Sequence, residues 1–222
     1  MTTFVWAGGA LFVGALAYCG YTFAIAWSRV TAFDAIAAGV DVVLFSVFAL
    51  HHSVFARAGV KRWMTAVVPQ DLLRSVYVWL ASALLIAVCA AWQPAGGDAY
   101  RHAGALAIVH GAVQLAGVAI IVWAVRAIDA LELAGIRQHA APESLQVTGP
   151  YRWVRHPLYS GWLLVTFGAA HMTGDRLIFA GISTMYLLIA MPLEERSLAT
   201  SFGRAYAGYT RRVRFRIVPY VY

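Results

Sequence analysis

Four long apolar runs decide what this chain can fold into. They lie near residues 4–27, 34–55, 72–92 and 103–125, and about 20 apolar residues in a helix cross the roughly 30 Å hydrocarbon core of a bilayer. Two shorter runs, near 157–173 and 177–193, are split by the polar residues 171–176. Backbone groups in lipid must be bonded internally, and no barrel-like alternation is present. We therefore predict an all-α integral membrane protein with about six transmembrane helices, the last two forming a helical hairpin or two short spans.

The charges are sparse and lie unevenly along the chain. The sequence is 61% hydrophobic and 12% charged, with a net charge of +7. The basic residues lie between apolar runs and at the C-terminus rather than on one amphipathic face, so nucleic acid is not an expected partner. With six crossings and a cytoplasmic N-terminus, 14 basic residues fall on one side and only Arg29, Arg101 and Arg176 on the other. We predict a single transmembrane domain, residues 1–222, in a bacterial inner membrane with both termini cytoplasmic.

The last 29 residues are of a different kind. Leu198, Phe202, Tyr206 and Tyr209 recur at intervals of three and four residues, which predicts an amphipathic cytoplasmic helix over residues 194–210. The basic and aromatic segment after it is typical of an anchor on anionic lipid.

A dense polar stretch, TGPYRWVRHPLYSG at 148–161, separates two apolar runs. Glu194 and Glu195 follow the last run and return to the same membrane face. Together these residues offer cations, an imidazole, a phenol and carboxylates, as a small zwitterionic cofactor requires. The alternative is a positive loop followed by a helix that begins at a proline. A Gly-rich phosphate loop, a Cys-x-x-Cys pair and a nucleophile elbow are all missing from the sequence.

Two adjacent histidines, His51 and His52, end the second apolar run. Neighbouring residues on a helix point about 100° apart, so the pair is poorly arranged to hold one metal ion, and we predict no metal site. His110 and Gln114 lie four residues apart on the fourth run, where we expect hydrogen bonds to each other or to a neighbouring helix.

The polar motifs resemble those of a known superfamily, the integral-membrane methyltransferases that include isoprenylcysteine carboxyl, phospholipid and methanethiol S-methyltransferases. The shared pattern is Arg-His-Pro-x-Tyr, then a Glu-Glu pair, then Phe-Gly-x-x-Tyr-x-x-Tyr. In this chain it comprises Arg155, His156, Pro157, Tyr159, Gly161, Glu194, Glu195, Phe202, Gly203, Tyr206 and Tyr209. The N-terminal half is similar to the methanethiol branch through His52, Ser53, Ala56, Arg57, residues 61–63, Pro69, Arg74, Tyr77 and residues 132–138. It departs at Ala130, Leu131 and the RFRIVPY ending, which concern the acceptor rather than the cofactor.

The resemblance implies that S-adenosyl-L-methionine is the methyl donor and that residues 148–222 bind it. The expected cofactor-binding residues are Arg155, His156, Pro157, Leu158, Tyr159, Glu194 and Glu195. The acceptor is expected to be a small or lipophilic thiol that enters from the bilayer. A thiol reacts as its thiolate, so we expect His52 to act as base, with Arg57 and Arg137 lowering the pKa of the thiol.

Three alternatives remain open at this point. The first is a prenylcysteine carboxyl or phospholipid amine methyltransferase. The second is a haem-binding membrane protein or isomerase of similar architecture, with His51, His52 and His110 as candidate ligands. The third, a nicotinamide-dependent reductase of lipid double bonds, is disfavoured because such proteins are generally longer. The sequence does not indicate an oligomeric state.

Overall fold

The prediction of an all-α membrane protein is confirmed. The computed structural model describes residues 2–55, 58–137 and 144–221, and five of its helices are long and apolar enough to cross a membrane. These are α1 (Thr2–Ala24), α2 (Ala35–Phe55), α4 (Leu73–Ala91), α5 (Gly104–Ala127) and α8 (Gly174–Phe202). Shorter helices are α3 (Ala58–Met64), α6 (Ala130–Leu133), α7 (Pro157–Phe167) and α9 (Arg204–Arg212). Strands β1 (Asp98–Arg101) and β2 (His171–Thr173) form a small sheet.

The chain forms two compact units. The first comprises residues 1–98, 130–140 and 173–178, and the second comprises residues 99–129, 141–172 and 179–222. The first unit contains α1 to α4 and α6. The second contains α5, α7, most of α8, and α9 with the C-terminal tail.

Buried polar side chains of the first unit form hydrogen bonds within that unit. Asp41 is fully buried and accepts a hydrogen bond from the backbone N–H of Gln93 at 2.8 Å. Asp175 accepts hydrogen bonds from the indole N–H of Trp92 and the backbone N–H of Ala95. The guanidinium of Arg176 donates to backbone carbonyls at the end of α1. An unpaired polar group is costly in an apolar surrounding, and these bonds offset that cost.

Helices α5 and α7 of the second unit pack closely at two glycines. A Cβ on Gly161 would lie 2.7 Å from the carbonyl oxygen of Gly117 and 2.6 Å from Cγ1 of Ile121. Small residues allow helix backbones to approach closely in a membrane. Gly161 of the motif is therefore required for the close packing of α7 on α5.

Helix α7 is too short to cross the membrane. Its 11 residues rise about 16 Å, roughly half of the hydrocarbon thickness. The chain continues past Gly168 through a turn and a bend to β2, so the predicted apolar segment 157–173 is helical up to Phe167 and non-helical after it. Helix α8 then runs for 29 residues.

Side chains of α5 and of strand β1 donate hydrogen bonds to the carbonyls at the end of α7. Gln114 Nε2 donates to the carbonyl of Val165, and the Tyr100 hydroxyl donates to that of Phe167. His110 Nδ1 lies 3.1 Å from the carbonyl oxygen of Gly168. The last carbonyls of a helix have no partner within it and need one from elsewhere in lipid. The expectation of interhelical hydrogen bonds for His110 and Gln114 is confirmed.

The predicted amphipathic helix over residues 194–210 is wrong in its bounds. Helix α8 continues through Pro192 to Phe202, so Glu194 and Glu195 lie inside it rather than opening a new helix. The break falls at Gly203, whose φ of 48° favours glycine, and the short helix α9 follows. Proline is tolerated in membrane helices because neighbouring groups satisfy the freed carbonyl.

Candidate active site

The candidate site lies in the second unit, where α7 begins. Pro157 is the first residue of α7, a position that suits its fixed φ and missing N–H. Proline also restricts the residue before it, and His156 has φ −124° and ψ 62°. His156 and Pro157 are buried and Leu158 is half-buried. Their backbone therefore holds the imidazole at a defined turn.

The C-terminal tail pairs with this turn. The backbone N–H groups of Arg155 and His156 donate to the carbonyls of Phe215 and Arg216, at 3.0 and 2.8 Å. The Arg155 guanidinium donates to the carbonyls of residues 213 and 214 as well. The tail, for which the sequence suggested a lipid anchor, thus forms part of the protein surface around the site.

Glu195 is held by two arginines and a histidine. Its Oε1 lies 2.7 Å from Arg155 Nε and 3.3 Å from His156 Nε2, and its Oε2 lies 3.0 Å from Arg216 Nη2. The Glu195 side chain is only 13% exposed. Both oxygens of the Glu195 carboxylate therefore bond to charged donors within the protein. Glu195 stabilises the arrangement of the site.

Glu194 differs from its neighbour. Its side chain is 48% exposed, and its Oε2 accepts a hydrogen bond of 2.6 Å from the Tyr159 hydroxyl. The imidazole of His156 stacks on the Tyr159 ring with centroids 5.1 Å apart and lies 3.8 Å from Glu194. Glu194 therefore presents a carboxylate to the surface beside two flat aromatic rings.

His156 is held in an environment that disfavours its charge. Burial lowers the pKa of His156, and the nearby carboxylates of Glu194 and Glu195 oppose that shift without cancelling it. A neutral imidazole carries one N–H, and the distance of 3.3 Å between Nε2 and Glu195 suits a hydrogen bond from that nitrogen. His156 then acts as a neutral hydrogen-bonding group at neutral pH.

The three residues expected to act on the acceptor lie elsewhere in the chain. His52, in the first unit, has Nδ1 2.7 Å from the Tyr77 hydroxyl. Arg137 is exposed in the same unit, and its backbone N–H donates to the carbonyl of Leu131. Arg57 lies outside the described residues. Their catalytic roles stay predictions.

Known proteins are similar to most of this chain. The family model described as phospholipid methyltransferase matches residues 106–205. A methanethiol S-methyltransferase of Crocosphaera subtropica is 34% identical over 82% of this chain and 74% of its own length. Methanethiol S-methyltransferase 2 of Bradyrhizobium diazoefficiens is 36% identical over 78% and 70%. A methanethiol S-methyltransferase of Mycobacterium tuberculosis is 37% identical over 78% and 75%. No solved structure gives a significant match.

The chain belongs to the integral-membrane methyltransferase family. It is therefore an enzyme that takes a methyl group from a donor, and the expectation drawn from its motifs is confirmed at that level. Within this methyltransferase, Arg155, His156, Tyr159, Glu194 and Glu195 are brought together as the sequence predicted. Their part in cofactor binding stays a prediction.

The sequence did not indicate what surrounds Arg216 and Tyr206 in the folded protein. Arg216 bonds Glu195, but it lies in a basic run that was assigned to lipid. The spacing of Arg212, Arg214 and Arg216 at every second residue is the period of an extended segment rather than of a helix. Tyr206 was part of the recognised motif without a role, and nothing in its local pattern separates it from Tyr209.

Proposed function

We propose that this protein is an S-adenosyl-L-methionine-dependent methyltransferase whose donor binds at the start of α7, within residues 148–222. The observation that carries the donor site is the half-exposed carboxylate of Glu194 beside Tyr159 and His156. A carboxylate suits the amino and ribose hydroxyl groups of this donor. The neutral imidazole of His156 and half-buried Leu158 add hydrogen-bonding and apolar surface.

The roles of the two glutamates follow from their partners. Glu194, with one hydrogen bond from Tyr159, would bind the donor directly. Glu195 and Arg155 would hold the turn and the tail in place, because each already has several bonds within the protein. The donor carboxylate is then expected to bind elsewhere than on Arg155.

The acceptor we propose is a small thiol, as the names of the relatives suggest for those proteins. When bound, the donor supplies an electrophilic methyl group on a sulfonium, and in-line attack by a thiolate gives a thioether and a neutral sulfide. The thiol must lose its proton first. We propose His52, whose imidazole nitrogens lie 2.7 and 3.2 Å from the Tyr77 hydroxyl, as the base that accepts that proton. Arg57 and Arg137 would lower the pKa of the thiol.

When the whole segment 157–173 is counted as a sixth crossing, the distribution of basic residues supports an inner-membrane location with both termini in the cytoplasm. In that orientation the donor, which is charged and water-soluble, reaches the start of α7 from the cytoplasm. A lipophilic acceptor would arrive through the bilayer.

Donor binding is the first experiment. Calorimetry on detergent-purified protein is expected to show binding of S-adenosyl-L-methionine by the wild type, and affinity at least about tenfold lower in Glu194→Ala and His156→Ala. Asp71→Ala, at an exposed acidic residue before α4, is the control and should bind normally. No binding by folded wild-type protein would overturn the proposal.

The acceptor is tested by turnover. Methanethiol, hydrogen sulfide, a prenylcysteine and phosphatidylethanolamine are compared as substrates at saturating donor, and we expect methylation of the small thiols. His52→Ala is expected to lower turnover and to leave donor affinity unchanged. Unchanged turnover in that variant would remove His52 as the base.

A further inference from the structure

Tyr206 and Tyr209 occupy equivalent surroundings on α9. Both are buried, with exposed fractions of 6% and 3%, and both belong to one apolar cluster with Val213. The cluster packs against Leu145, Val147, Leu198 and Phe202. Both rings therefore pack α9 against the rest of the second unit.

Their hydroxyl groups differ. The Tyr209 hydroxyl donates to the backbone carbonyl of Tyr151 at 2.9 Å. The Tyr206 hydroxyl is buried and has no hydrogen-bond partner among the described residues. A buried polar group without a partner costs about 1–3 kcal/mol. Buried polar groups in native proteins are nearly always bonded, so we expect a partner for this hydroxyl beyond the described residues, and a bound ligand is one such partner.

Tyr206 lies near the charged residues of the candidate site. The phenol interacts electrostatically with Glu195, Arg155, Glu194 and Arg216. Burial is the main cause that raises the pKa of Tyr206 to about 12. The phenol is therefore protonated at neutral pH and available as a hydrogen-bond donor.

We propose that the Tyr206 hydroxyl is a binding group for the methyl donor and donates a hydrogen bond to an acceptor atom of the bound molecule. This inference rests on the proposed function, because it takes S-adenosyl-L-methionine as the ligand of the site. It assigns a direct contact to α9, whereas Tyr209 serves only the fold.

The pair Tyr206→Phe and Tyr209→Phe tests the proposal. Each change removes one hydroxyl from the same helix and keeps the ring. We expect Tyr206→Phe to keep or raise the thermal midpoint, because it removes an unpaired buried group, and to weaken calorimetric binding of S-adenosyl-L-methionine about three- to tenfold. We expect Tyr209→Phe to lower the midpoint, because the Tyr151 carbonyl loses its donor, and to bind the donor normally.

Two results would overturn the inference. Wild-type affinity in Tyr206→Phe would mean that the hydroxyl binds water or nothing. A midpoint lowered as much as in Tyr209→Phe would mean that the hydroxyl has a structural partner in the folded protein. Either result leaves the proposed function standing, since wild-type protein still binds the donor. Failure of wild-type protein to bind would instead reject the proposed function itself.

Discussion

Polar side chains surround both ends of α7, but their bonding differs between the two ends. At its C-terminal end, Tyr100, His110 and Gln114 all bond to backbone carbonyls of the interrupted helix. At its N-terminal end, Glu195 is likewise committed, but Glu194 is half exposed and the Tyr206 hydroxyl is unpartnered among the described residues. Polar density inside a membrane protein does not by itself identify a site. An accessible charged group among them, such as Glu194, is the better indication.

The largest expected effect concerns Glu195. Glu195→Ala would leave the guanidinium of Arg155, which is 9% exposed, and that of Arg216 without their carboxylate. Removing one partner of a buried ion pair costs about 3–5 kcal/mol, so we expect a strongly lowered thermal midpoint in detergent. Glu194→Ala, at the exposed neighbour, should unfold close to the wild type. A Glu195→Ala protein of normal stability that fails to bind the donor would show that Glu195 binds the donor rather than stabilising the fold.

The start of α7 was predictable because its signals are local. Arg155, His156, Pro157 and Tyr159 lie within five residues, and the proline marks a helix start. Glu194 and Glu195 follow the next apolar run, so the membrane itself returns them to the same face. The amphipathic pattern after them was equally local, but it did not reveal that α8 continues through Pro192.

The end of α7 and the role of the tail were not predictable in the same way. The run WLLVTFGAA contains no proline and reads as apolar helix. The helix nevertheless ends at Phe167, where side chains more than 50 residues earlier in the sequence donate hydrogen bonds to its last carbonyls. The pairing of the tail with Arg155 and His156 is a contact about 60 residues apart in sequence. Periodicity and composition describe neighbours along the chain, so neither reports such contacts.

A smaller loss of stability is expected from changes at the C-terminal end of α7. Gln114→Leu and His110→Leu each remove a partner of a carbonyl in lipid, which should cost about 1–2 kcal/mol. We expect a lower thermal midpoint for both variants and unchanged calorimetric affinity for the donor. Leu115→Ala changes a residue of the same helix that is 71% exposed, and it should leave both quantities unchanged. Donor affinity reduced in Gln114→Leu as much as in Glu194→Ala would mean that the two ends of α7 are not separate in function.

The smallest expected effect is the pH dependence of stability that His156 contributes. Burial lowers the pKa of His156 in the folded protein below that of the unfolded chain, so the unfolded state binds the proton more readily. The contribution of His156 is therefore complete above the ordinary histidine pKa of about 6.5 and is lost as the pH falls through the folded value. The free energy of unfolding is measured from pH 7.5 to pH 5 for the wild type and for His156→Gln, which cannot be protonated. We expect the wild type to lose stability more steeply on acidification than the variant. The opposite order would mean that the carboxylates of Glu194 and Glu195 outweigh burial and keep His156 protonated. His156 would then be a cation in the site.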